Sequence, residues 1–420
     1  MNNNFIKARL IAMNFLEFAV WGAYLISMGT FLAGVGMGAH IGWFYTVQGL
    51  VSIFMPAIVG IVADRWIPAQ RMLSLCHFVA AISMIAVGVL AALGHHSFST
   101  LFPVYTLSVA AYMPTLALTN SVSYNALDRA GLDTVKAFPP IRIFGTIGFI
   151  ISMWIVDLSG WQSTEIQFFV SAAWSLLLAV YALTLPSCPT APKGERKDLV
   201  QALGLDAFRL FGQRRMALFF IFSMLLGVSL QITNGYANPF ITSFGVDAAY
   251  KGEFFVDHAN LLISLSQISE TFCILLIPFF LRRFGIKTVM LIAMFAWVLR
   301  FGFFSVGNPA FPGVSLFILS MIVYGVAFDF FNVSGSLFVD KEADPALRSS
   351  AQGLFMLMTN GIGASVGTLG AQWVVNCYVS NEGGVMVGDW STVWGIFAVY
   401  ALLVAVAFLI IFREKKVVKS

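Results

Sequence analysis

What most constrains this chain is how often an apolar run recurs along it. Stretches of about 20 residues, each long enough to cross a bilayer as a helix, can be placed twelve times. Six lie near 10–32, 41–63, 72–94, 98–124, 138–158 and 165–186, and six near 216–243, 257–281, 287–307, 313–338, 347–378 and 391–412. The 420 residues are 59% hydrophobic and 10% charged, whereas a soluble domain carries about 25% charge. The expected fold class is an all-α membrane protein.

Between the two sets of runs lies Ser187-Cys188-Pro189-Thr190-Ala191-Pro192-Lys193-Gly194-Glu195-Arg196-Lys197-Asp198, rich in proline and charge. It divides the chain into a six-helix bundle over 1–186, a linker over 187–215 and a second six-helix bundle over 216–420. Within the linker, Gly204-Leu205-Asp206-Ala207-Phe208 is expected to open a short surface helix that Arg214-Arg215 closes. The bundles echo each other: Gly60-Ile61-Val62-Ala63-Asp64-Arg65-Trp66 follows the second run, and Leu281-Arg282-Arg283-Phe284-Gly285-Ile286-Lys287 follows the eighth. Short basic turns at matching places in two halves are what internally repeated transporters show.

Basic residues set the orientation. Of the 24 Lys and Arg, Arg142 and Arg300 lie within runs and Lys251 follows the seventh; the other 21 fall on the side shared by the N-terminus, linker and C-terminus. That side is expected to be cytoplasmic. The formal charge of +4 follows topology and implies no nucleic acid. No cleaved signal peptide is read at the N-terminus. Cys76, Cys188, Cys273 and Cys377 form no CxxC and are expected to be small buried hydrophobes. His40, His77, His95, His96 and His258 are scattered without ligand spacing, so no metal is expected. No GxxxxGK[ST] occurs, which argues against an ATP-driven pump.

The polar groups inside the runs carry the chemistry. Phe138-Pro139-Pro140-Ile141-Arg142 opens a helix on prolines, which suit a first turn that lacks N–H partners. Arg142, Thr146 and Phe149 share one face of it. A guanidinium at membrane depth costs roughly 2.5–3.5 kcal/mol, so Arg142 faces the protein interior, water or a partner, or else snorkels to the headgroups. Glu17 in the first run either partners Arg142 or, protonated, packs helices. Gln231 and Asn234 share a face in the seventh run and offer amide donors and acceptors to a base edge or to sugar hydroxyls, unless they only join helices.

Gln267 and Glu270 sit three apart near the middle of the eighth run. A carboxylate at that depth is a functional candidate, because burial lets it exchange a proton. In the tenth run Tyr324 and Phe328 lie one turn apart, spaced to sandwich a flat ring or simply to pack, and Asp329 is a second deep acid. Arg300 in the ninth run sits at a depth from which it either neutralises Asp329 or leaves it free. Gly361, Gly363, Gly367 and Gly370 are read as close helix packing.

Several of these segments together resemble the bacterial nucleoside:H⁺ symporter family of the major facilitator superfamily. They are Phe138 to Phe149, Leu230-Gln231-Ile232-Thr233-Asn234, Ser266-Gln267-Ile268-Ser269-Glu270 and Tyr324-Gly325-Val326-Ala327-Phe328-Asp329. Tyr112-Met113-Pro114-Thr115 and Ala351-Gln352-Gly353 belong to the same likeness, and the Gly60-x-x-x-Asp64-Arg65 turn resembles the superfamily's loop signature. The resemblance implies the major facilitator fold, twelve transmembrane helices in two six-helix bundles. It also implies uptake of purine and pyrimidine nucleosides with protons across the bacterial inner membrane. No cofactor beyond the coupling proton is implied.

By motif, Arg142, Thr146 and Phe149 would line the substrate cavity from the first bundle. Gln231, Asn234, Gln267, Glu270, Tyr324 and Phe328 would line it from the second, with Gln267 and Glu270 on the ribose and aromatics flanking the base. Glu270, Asp329 and Glu17 are the proton-coupling candidates. Glu17 departs from the family, which carries an amide there. Rival readings are a sugar or oligosaccharide symporter, or a drug or metabolite exporter, of the same superfamily. No nucleophile–base arrangement is present, so no enzyme is expected.

Overall fold

The computed structural model describes residues 3–188, 205–344 and 347–412. The Pro-rich centre of the expected linker lies outside the described residues. The N-terminal helices are α1 Asn3–Gly22, α2 Met28–Gly34, α3 Ile41–Arg65, α4 Ala69–Ala92, α5 Phe98–Arg129, α6 Thr134–Leu158 and α7 Ile166–Thr184. The C-terminal helices are α8 Arg214–Leu230, α9 Ile232–Ser243, α10 Ala259–Val306, α11 Val314–Glu342, α12 Arg348–Met356, α13 Ala364–Tyr378 and α14 Trp390–Ile411. Ten helical segments among the described residues are long and apolar enough to cross a membrane. α1 is not one of them, because Lys7, Arg9 and Glu17 all fall within its 20 residues.

Where the helices depart from the apolar runs, local chemistry explains it. The first run divides into α1 and α2 after Gly22, and the seventh divides into α8 and α9 at Gln231. The eighth and ninth runs are the two helical arms of α10, which follow each other with no loop between them. α10 turns a corner at Gly285, where φ 76° and ψ 168° suit a residue with no Cβ. The eleventh run is interrupted by a π-helical stretch, Leu357–Gly363, between α12 and α13. The hairpin β1 Val379–Glu382 and β2 Val385–Gly388 follows α13, and hydropathy gives no sign of it. The expected surface helix is a 3₁₀ segment, Leu205–Gly212, and Arg214-Arg215 open α8 instead of closing it.

Small residues bring backbones together. A Cβ built on Gly148 would lie 2.1 Å from the Phe15 carbonyl oxygen, and one on Gly22 would lie 2.3 Å from that of Phe149, so α1 and α6 cross in direct backbone contact. Gly363 and Gly367 face the backbone of Met224 and Val228 in the same manner, Gly361 faces the Ile53 side chain, and Gly370 faces open space.

α1 to α7 pack chiefly on one another, as do α8 to α14. The two groups meet through α6 with α10, α2 with α9, and α3 with α13 and the π-helical stretch. Hydrogen bonds between the groups gather at the end that carries the hairpin and loops 159–165 and 244–258. Gly42 N–H donates to Gln372 Oε1 at 2.5 Å, Asn381 Nδ2 to the Ala33 carbonyl at 2.8 Å, and Trp154 Nε1 to Ser264 Oγ at 2.9 Å.

Candidate functional site

The site is built on the crossing of α6 and α10. α6 starts at Thr134, so Pro139 and Pro140 fall in its second turn instead of opening it as expected; they leave the helix intact, and four turns on it reaches Trp154. Arg142 is half-buried, and its guanidinium lies 3.8 Å from the centre of the Phe18 ring on α1, a cation–π contact. Among the charges acting on Arg142, Glu270 of α10 is the strongest. Arg142 thus lies against Phe18 of its own group, within electrostatic reach of Glu270 and without a direct ion pair to it among the described residues. Thr146 is half-buried one turn along. Phe149 is 7% exposed and meets Trp21 edge-on at 6.5 Å between centroids, so it is packed into the N-terminal group.

On the C-terminal side Glu270 acts electrostatically on both Asp329 and Tyr324. One Asp329 carboxylate oxygen and Gln267 Oε1 are buried with no hydrogen-bond partner among the described residues. A buried acceptor left bare is costly, so both are suited to receive a donor: a proton on Asp329, an N–H or hydroxyl on Gln267. Gln231 and Asn234 satisfy one another, Asn234 Nδ2 donating to Gln231 Oε1 at 2.7 Å across the break between α8 and α9.

Three pairs of alternatives left open by the sequence are decided. First, Glu17 does not pair with Arg142. Its carboxylate is fully buried, accepting from Thr115 Oγ1 at 2.5 Å and Thr119 Oγ1 at 2.9 Å and lying 2.9 Å from His77 Nε2. Tyr112 donates to its carbonyl, and His77 Nδ1 contacts Ser175 Oγ at 2.9 Å. The acid is bound within its own group because α4 and α5 present donors at its depth.

Second, Tyr324 and Phe328 do not bracket a ring. They stack on each other, 13° apart with centroids at 5.6 Å, and an inserted ring needs about 7 Å at van der Waals contact. They form one continuous aromatic wall. Third, Arg300 does not neutralise Asp329. It is 2% exposed, donates to the Ser320 carbonyl at 2.8 Å and to Ser266 Oγ at 3.3 Å, and lies 4.4 Å over the Tyr324 ring. A smaller departure is Cys377, which is exposed whereas the other three cysteines are buried.

The sequence profile of the nucleoside H⁺ symporter family matches residues 4–417. The chain belongs to the nucleoside H⁺ symporter family. It is 47% identical over 414 residues to nucleoside permease NupG of Escherichia coli (strain K12), covering 98% of this chain and 97% of that one. It is 49% identical over 411 residues to the xanthosine permease of the same organism, covering 97% and 96%. The crystal structure of nucleoside transporter NupG superposes with a TM-score of 0.90 at 47% identity, over 99% of this chain and 100% of that one. The D-xylose-proton symporter shares the fold alone, with a TM-score of 0.67 at 16% identity and coverage of 98% of each chain.

Residues that hydropathy did not single out lie at the joined end of the same seam. His258 Nδ1 is 2.6 Å from Asp157 Oδ1, and the Asn260 backbone N–H donates to Asp157 Oδ2 at 2.9 Å. Asn238 Nδ2 donates to Asn260 Oδ1 at 2.6 Å and to Gln162 Oε1 at 3.2 Å, while Thr30 bonds Asn238. The available signal was an acid closing the fifth run and a histidine opening the eighth. His77 gave less, since a lone histidine in an apolar run names no partner.

Proposed function

We propose that the protein carries nucleosides together with protons across the bacterial inner membrane by alternating access. The observation that carries the reading is the facing of Arg142 and Glu270 across the two groups of helices, with Asp329 and the Tyr324–Phe328 wall beside Glu270. A fixed cation opposite a carboxylate at the seam is a place where proton uptake changes the attraction between two bodies. Membership of a nucleoside H⁺ symporter family and 47–49% identity to two permeases support nucleosides as cargo. The protein is a transporter, not an enzyme.

The chain is read as twelve spans of the major facilitator fold. α1 with α2 forms the first, α8 with α9 the seventh, the two arms of α10 the eighth and ninth, and α12 with α13 the eleventh. Residues 1–186 and 216–420 are the two bundles, with 187–215 joining them. The basic residues support both termini on the cytoplasmic side. On that orientation the joined end faces outward, and the protein is closed to the exterior.

Arg142, Thr146, Gln231, Asn234, Gln267, Glu270, Tyr324 and Phe328 are the proposed substrate contacts. Phe149 supports the face that bears Arg142. Gln267 offers its bare acceptor to a ribose hydroxyl, and the aromatic wall takes the base on its open side. Glu270 and Asp329 carry the proton; Glu17, sealed against His77, holds the first bundle together. The test is uptake of a panel of labelled nucleosides into inside-acid and outside-acid vesicles, with uridine, adenosine and xylose as competitors. Accumulation only with acid outside, blocked by nucleosides and not by xylose, is expected. Pentose competition or outward drug movement would replace this reading with one of its rivals.

A further inference from the structure

The seam between α6 and α10 carries an acid paired with a basic group at each end, with the acid on opposite helices. At one end the cation is on α6 (Arg142) and the acid on α10 (Glu270). At the joined end the acid is on α6 (Asp157) and the imidazole opens α10 (His258), 2.6 Å apart. Trp154 and Ser264 bond at 2.9 Å between these two levels. His258 and Glu270 lie twelve residues apart on the same stretch of helix, about 18 Å at 1.5 Å per residue.

We propose that His258 and Asp157 form a proton-binding latch, distinct from Glu270 and Asp329, that shuts the joined end when His258 is protonated. The inference rests on the transporter reading for its meaning, not for its geometry. Asp157 is fully buried and already accepts the Asn260 N–H, so its carboxyl group is held in place and aimed at the imidazole. The His258 side chain is 30% exposed, so protons from that side reach it.

With a proton the contact is a charge-assisted ion pair between the two groups of helices. A neutral imidazole keeps at most one hydrogen bond and leaves Asp157 a buried anion without a counter-charge, which favours separation of that end. The other elements packed here present amides, Asn238 on α9 and Gln162 in the loop after α6. The neighbouring carboxylates Glu253 and Asp257 belong to the turn of His258 itself; Asp257 is exposed and its backbone carbonyl accepts from Gln162. Protonation at this latch draws the joined end shut, and loss of the proton releases it.

Spin labels at Ala39→Cys and Ala248→Cys, both exposed at the joined end, report the opening in reconstituted full-length protein with Cys377→Ser removing the exposed thiol. On acidification from about pH 8 to about pH 5 the closed-to-open ratio is expected to rise several-fold. His258→Gln and Asp157→Asn are expected to flatten that response, and His258→Lys to hold the closed distance throughout. Asp157→Asn keeps the acceptor for Asn260 and so guards against a folding defect in the histidine variants. A pH response that survives in His258→Gln and in Asp157→Asn, or a wild-type distance indifferent to pH, overturns the latch. Nucleoside uptake measured on the same vesicles separates that result from a failure of the transport reading.

Discussion

Glu17 and His77 hold each other at 2.9 Å inside the N-terminal helices, where neither side chain has any exposure. The pair stitches α1 to α4, and through Thr115, Thr119 and Ser175 to α5 and α7. Its energy is structural, because neither member has an ion-pair partner other than the other among the described residues.

The two members are expected to respond unequally to substitution. Glu17→Gln keeps an acceptor for the threonines and a donor for the ring, so it costs about 1 kcal/mol. His77→Ala leaves a carboxylate buried without its partner, a loss of about 3–5 kcal/mol. Thermal unfolding in detergent separates them, and equal losses would remove the pair from its structural role. Proton-driven uptake by Glu17→Gln is expected to match wild type.

Glu270→Gln is expected to abolish accumulation driven by a pH difference while leaving nucleoside exchange at equal pH. The amide retains hydrogen bonding to substrate but holds no exchangeable proton opposite Arg142. Asp329→Asn tests the same point from the neighbouring acid. Full proton-driven accumulation in both variants would take coupling away from this carboxylate pair.

Arg300 acts through Tyr324. Its guanidinium covers one face of that ring at 4.4 Å and ties α11 to the arm of α10 that bears Gln267, through Ser266 and the Ser320 carbonyl. Arg300→Gln is expected to raise the KM for nucleoside roughly tenfold, the size of one lost cation–π contact, with little change in maximal rate. Arg300→Lys restores part of the affinity, since an ammonium still reaches the carbonyl but cannot lie flat on the ring. A fall in maximal rate with unchanged KM would contradict the positioning role.

Asp389 caps α14 by accepting from the Thr392 N–H at 3.0 Å and hydroxyl at 2.6 Å, and these bonds hold its carboxyl below the usual range. A lowered folded value contributes stability above the unfolded value of about 3.9, lost as pH falls through the folded one. Asp389→Ala is therefore expected to lower the melting temperature at neutral pH, and the gap from wild type to close on acidification below that range.

The helical, membrane-spanning character was written in the apolar runs, and the deep acids and amides marked the seam because such groups cost free energy in hydrocarbon. Partnerships were less legible. Arg142, Glu17 and Arg300 each had several plausible neighbours at one depth, and depth alone does not fix rotation about a helix axis. Glu17 turned toward His77 and Arg300 toward Tyr324, away from the charges suggested by level. The break at Gln231 and the hairpin after Tyr378 leave hydropathy unchanged, so neither was visible. Asp157 and His258 sit at run boundaries, where polar residues are ordinary.

Gly285 gives the C-terminal group an elbow with no slack. Because the two arms of α10 meet at this one residue, the arm carrying His258, Gln267 and Glu270 joins the arm carrying Arg300 with no loop between. The residues proposed for the proton and the sugar thus follow directly on the arm that bears Arg300, and a longer connection inserted at this corner would let them drift out of step.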